Sequence, residues 1–184
     1  MKILLRLLAV LAFLIITSGC AVTNSYGPYM GKVVDKETEE PIEGAVVFLR
    51  FFNDCFGPTT SFADAIETLT DANGEFHIPS HRIFTFRPLC GWDPDCEPIV
   101  FKPGYGAFPG HIETSIVESQ GAYLPEKKPV TIKLPKLTTR EERIDNQSKA
   151  SFTSKVPYEK WRNLFRLRNE ERKNIELKPF SEPM

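Results

Sequence analysis

From residue 29 onward, apolar residues come in short alternating runs separated by turn-forming residues, the pattern of strands that bury one face of a sheet. Met30, Val33 and Val34 open the first run, and the charged stretch 35–43, which contains Pro41, reads as a connection. The strongest strand spans 44–52, with Ala45, Val47 and Leu49 on one face and Val46, Phe48 and Arg50 on the other. Both faces are largely apolar, which predicts a central position. Runs 66–70 and 75–78 flank Asp71-Ala72-Asn73-Gly74, where Asn-Gly predicts a tight hairpin joining the two. Three further runs, 82–86, 98–102 and 130–134, supply Ile99, Phe101, Ile132 and Leu134 as core candidates. About seven short strands between turn signals predict a mainly β chain built as a small sandwich.

The two ends follow other patterns. Lys2 and Arg6 precede an apolar run at 7–16, too short for the roughly 20 residues of a spanning helix, so 1–19 reads as an export signal. It ends in Ile16-Thr17-Ser18-Gly19-Cys20, which resembles the lipobox of bacterial lipoproteins. That resemblance implies diacylation of the Cys20 thiol, cleavage before Cys20 and acylation of the new amine. The lipid bilayer is then a partner, since two or three acyl chains anchor a protein stably where one does not. Ala21 in place of an Asp implies, in a two-membrane cell, the outer membrane facing the periplasm. Residues 20–28 are expected to be a tether.

At the other end, 138–153 offers little apolar periodicity and reads as a linker. After Pro157, Tyr158, Trp161, Leu164, Phe165 and Leu167 gather on one side of an expected C-terminal α-helix within the tail 138–184. Three uses of that face stand open: packing back on the sandwich, docking on a partner, or lying on lipid.

The body carries a resemblance of its own. Gly31-Lys32-Val33-Val34-Asp35, Pro41-Ile42-Glu43-Gly44-Ala45-Val46-Val47, the succession from Thr68 through Asp71-Ala72-Asn73-Gly74 to Pro79, and Phe101-Lys102-Pro103-Gly104-Tyr105 follow one another as in the carboxypeptidase regulatory-like domain, which this chain resembles over 29–137. The resemblance implies a seven-stranded transthyretin-like β-sandwich. It also implies a supporting or binding module rather than an enzyme, with an envelope protein or glycan as partner. Insertions after Phe52 and after Phe86 depart from the family pattern.

Composition narrows the chemistry. With 41% apolar and 26% charged residues among 184, the chain has the means to bury a core, and a net charge of -1 gives no reason to expect a nucleic acid. Apart from Cys20 there are three cysteines, Cys55, Cys90 and Cys96, so one bridge and one thiol are expected in an oxidising compartment. Either Cys90 and Cys96 close a short loop, or Cys55 pairs with one of them and staples the two insertions together. His77 and His81 are four apart, but Pro79 between them removes the helical meaning of that spacing. With His111 they form the alternative reading, a metal-assisted hydrolase or metal sensor, although neither a metal site nor a cofactor is expected from these residues. Asp71, Asn73 and Gly74 start like a calcium loop, but the twelfth position is Arg82 rather than Glu. Phe56 and Trp92 in the insertions, with Tyr105, Trp161 and Phe165, are the expected binding surface.

Overall fold

A computed structural model describes residues 22–55, 59–87, 90–119, 121–152 and 155–182. The expected signal segment with Cys20 lies outside the described residues, as does Phe56. The strands are β1 (Thr23–Tyr26), β2 (Tyr29–Asp35), β3 (Val46–Cys55), β4 (Thr59–Leu69), β5 (Glu75–Ile78), β6 (His81–Phe84), β7 (Cys90–Trp92), β8 (Glu97–Phe101), β9 (Ser115–Val117) and β10 (Pro129–Leu134). Helices α1 (Arg140–Lys149) and α2 (Arg162–Asn174) follow, with a 3-10 turn at Tyr158–Lys160 between them. With 39% of the described residues in strand against 17% in helix, the fold is mainly β, a sandwich with a C-terminal helix.

One sheet has the order β5-β2-β10-β9, with β2 and β10 parallel. The other centres on β3, which pairs with β4 on one side and with β7 and β8 on the other. A separate ribbon pairs β1 with β6. Alternation along β3 builds two cores. Val47, Leu49 and Phe51 meet Val33, Phe76, Ile78, Val130, Ile132 and Leu134 between the sheets. Val46 and Phe48 point the other way, against Ile99, Phe101, Leu164 and Leu167. The central strand is therefore covered by a sheet on one face and by α2 on the other.

Three expectations change, and one alternative left open is decided. Residues 23–26, within the stretch expected as a tether, form β1, held by backbone pairing to β6 and by Tyr26, which is buried against Phe51 with ring centroids 4.6 Å apart. The Asp71–Gly74 segment does reverse the chain, with Gly74 N–H donating to the Asp71 carbonyl, but it makes no hairpin. Strand β4 pairs with β3 and β5 with β2, so the turn carries the chain from one sheet to the other. Only Gly74 takes a positive φ there, and a Cβ at Gly74 would meet the Val33 carbonyl at 2.5 Å, which reserves the position for glycine.

The expected linker 138–153 contains α1. Its apolar period is missing because its buried residues are Asn146 and Gln147. A capping box starts it, Thr139 accepting from Glu142 N–H while the Glu142 carboxylate accepts from Thr139 N–H. Asn146 then fastens it to the sandwich, donating to the Tyr105 carbonyl and accepting from Ala107 N–H, both at 2.8 Å. Finally, the face carrying Trp161 and Phe165 packs back on the domain. Leu164, Phe165 and Leu167 are buried, and Glu67 of β4 caps the helix by accepting from the N–H groups of Asn163 and Leu164.

The two helices are joined by Glu171, fully buried in α2, which takes two bonds from the Arg143 guanidinium, at 2.7 and 2.6 Å, and one from Gly104 N–H at 3.1 Å. Removing one member of such a pair leaves a charge stranded in the interior. Arg143→Ala is accordingly expected to lower unfolding free energy by about 3 to 5 kcal/mol in urea titrations. A loss below about 1 kcal/mol, the size of an exposed ion pair, would show that the latch carries no weight.

Candidate functional site

The insertions are stapled to each other. Cys55 and Cys90 face one another across the β3-β7 register and form the disulfide. This overturns the short-range Cys90–Cys96 bridge, because Cys96 is turned into the sandwich core, where it is 1% exposed. Burial pushes the Cys96 thiol up to about 11, against the opposing pull of the Tyr29 hydroxyl, which makes it an inert core thiol.

The aromatic residues expected to form one binding surface are dispersed. Trp92 is half-buried, edge-on to Tyr26 at 6.2 Å. Tyr105 is half-buried on the loop that bridges to Lys136, its phenol raised by burial and by the neighbouring Asp35 carboxylate. Trp161 and Phe165 stack edge-to-face with each other, with centroids 5.5 Å apart, in the cluster that also holds Tyr158 and Phe152. They serve packing, and their spacing on an amphipathic helix already allowed for that.

The three histidines do not converge either. His77 is exposed on β5 opposite Met30, His81 is bonded to Asp64, and His111 sits in the loop after Phe108, where its Nδ1 accepts from Glu113 N–H. Among the described residues, no group of three or more His, Cys, Asp or Glu is placed to hold a metal.

Asp64, His81 and Lys160 do come together, a cluster the sequence reading did not anticipate. Asp64 accepts from His81 at 2.9 Å, from Lys160 at 3.0 Å and from Ala65 N–H at 2.8 Å, and the His81 ring lies 5.6 Å from that of Phe51. Burial by itself would push the Asp64 carboxyl up, but the bonds from Lys160, Ala65 and His81 together hold it below its ordinary value. The adjoining cleft of about 410 Å³ is lined by Glu67, Arg162 and Asn163 as well. Through Asp64, His81 of β6 and Lys160 of the 3-10 turn are both held to β4.

Two other surfaces are open. A polar cleft of about 530 Å³ lies beside the stapled insertions, lined by Arg50, Arg87, Lys155, Glu97, Thr60 and Ser61. Arg50 bonds Glu97 at 2.7 Å and lies over the Phe152 ring at 5.2 Å. The outer face of the β5-β2-β10-β9 sheet carries a groove of about 620 Å³, with Met30, Lys32, His77, Glu118 and Thr131 along it. Unlike the β3 sheet, this sheet has no helix across it among the described residues. No helix among the described residues is long and apolar enough to cross a membrane.

Two measurements check these assignments. In the chain from Val22 onward, thiol titration is expected to find no fast-reacting group in the native state, one in denaturant and three after reduction; three in denaturant without reductant would deny the Cys55–Cys90 bridge. Lys160→Met is expected to lower stability at neutral pH by up to about 1 kcal/mol, the pair being partly exposed. Because Asp64 is depressed in the folded state, that contribution is present above about pH 4 and lost as pH falls through the depressed value. The gap between variant and parent should therefore close in urea titrations run toward about pH 2, and a gap constant with pH would contradict the assignment.

No protein-family description matches this chain, and no curated protein sequence does. Among solved structures, a 9R-lipoxygenase from Cyanothece PCC8801 is similar over 61% of this chain and 13% of its own length, at 16% identity and a TM-score of 0.23. A likeness at that score carries no argument about fold or activity.

Proposed function

We propose that this chain is an envelope lipoprotein, anchored to a bilayer through acylated Cys20, whose carboxypeptidase regulatory-like sandwich acts as a non-catalytic binding or structural module. The observation that carries the reading is the order of three features in the sequence: a basic start, a ten-residue apolar run at 7–16 and Ser18-Gly19-Cys20, followed at once by the folded domain. Strand β1 begins three residues after Cys20, so the domain sits directly on its anchor. The Cys55–Cys90 bridge supports export, because disulfides persist in oxidising compartments and are rare in the cytosol.

The division of labour is physical. Acyl chains hold the protein at a membrane surface, the doubly covered β3 sheet gives rigidity, and the uncovered sheet with its groove around Lys32, His77 and Thr131 faces an envelope protein or glycan. The residue clusters described above offer positions for recognition.

Mass spectrometry of the amino-terminal peptide from protein isolated in membranes tests the anchor. The expected species begins at Cys20 and carries a diacylglyceryl thioether, and Cys20→Ser is expected to abolish it and to leave the protein unprocessed. A free Cys20 thiol, or a mature chain beginning elsewhere, would falsify the reading.

A further inference from the structure

We propose that Phe84 and Phe86 form a membrane-contact edge, inserting into the headgroup boundary of the bilayer that holds Cys20, with Arg82 and Arg87 set against anionic headgroups. This rests on the lipid-anchor reading. Phe84 is 73% exposed and Phe86 69%, while Ile83 between Arg82 and Phe84 is 3% exposed and points into the core. Other exposed apolar side chains, such as Ile112 and Tyr123, occur singly, which is ordinary for a surface. Two phenylalanines separated by one residue and flanked by arginines are a different feature.

Their position in the fold identifies the occupant. In the β1-β6 ribbon, Thr23 pairs with Phe84, and the Thr85 N–H donates to the Val22 carbonyl at 3.0 Å. Cys20 precedes Val22 by two residues, at most about 7 Å of chain. Acyl chains on Cys20 therefore place the bilayer boundary beside Phe84 and Phe86, and the apolar phase nearest to the two rings is the lipid itself. Charge agrees with that assignment. Arg82 and Arg87 are exposed, and the cleft behind Arg87 adds Lys155. The Arg87 guanidinium also donates to the Phe62 carbonyl at 3.4 Å, so the stapled insertions share this end of the molecule with the anchor.

A second function follows for β1. A lipid tether alone leaves a domain free to rotate, whereas a short anchor plus two inserted rings fixes which side meets the membrane.

The test uses the acylated mature protein in vesicles of phosphatidylethanolamine and phosphatidylglycerol with brominated acyl chains. The emission added by Phe84→Trp is expected to be quenched several-fold more than that added by Ile112→Trp, an exposed control in another loop. On the unsubstituted protein, a photoactivatable phospholipid is expected to label segment 83–87. Equal quenching at the two positions, or labelling that spares 83–87, overturns the proposal while the mass of the amino-terminal peptide still reports an acylated Cys20. An unmodified Cys20 overturns the anchor and this inference together. A dimer in detergent that Phe84→Ser with Phe86→Ser dissociates assigns the edge to a second copy, and overturns the proposal as well.

Discussion

Between Val46 and Leu49, strand β3 has no side that water can wet, and the rest of the domain is arranged to satisfy that. Val47, Leu49 and Phe51 are fully buried toward the opposing sheet, and Val46 and Phe48 are fully buried the other way. Each such side chain contributes about 1.5 to 3 kcal/mol when removed from water, so leaving either face open would cost a large share of the about 5 to 15 kcal/mol by which a domain is stable. The opposing sheet covers one face and α2 the other. The dependence is mutual, since a helix of thirteen residues has little stability in water without a surface to pack on. Glu67, reaching from β4 to the first N–H groups of α2, sets where on the sheet the helix begins. Burial raises its carboxyl despite those two bonds, so the helix N-terminus and the interior pull on it in opposite directions.

Polar contacts decide how the helical segment is held. Glu171 is bound by Arg143 and by Gly104 N–H, and Asn146 by the backbone of Tyr105 and Ala107, so both helices are tied to the loop after β8. Directional bonds fix position in a way that apolar contact does not. The segment after residue 138 is consequently part of the domain. Phe165 is buried and Trp161 packs against the sandwich, whereas the Phe84 edge stays exposed.

The strand pattern was largely legible. All seven apolar runs are strands, with ends that shift by a few residues, because alternation is a local property that survives folding. The elements that escaped notice are those without apolar alternation: β1 buries only Tyr26, β7 and β9 have three residues each, and α1 buries amides in place of aliphatic groups. Thr139 and Glu142 were the available signal for α1, a capping box that needs no apolar face. The candidate site was less legible. Residue type marked Trp92, Trp161 and Phe165 as suited to recognition, but whether an aromatic ring faces solvent depends on what else lies over it.

From its sequence alone, this chain determined its class, the doubly apolar character of β3, the turn at Asp71–Gly74 and the presence of three cysteines beyond Cys20. These depend on neighbours a few residues away, where covalent geometry alone sets the spacing. Tertiary structure decided which strand the turn delivers to which sheet, that Cys55 rather than Cys96 meets Cys90, that Glu171 meets Arg143, and that Phe84 stands beside the entry of the chain. Each of those unites residues far apart in the chain, and such meetings are selected by the packing of the whole domain, to which no local window has access.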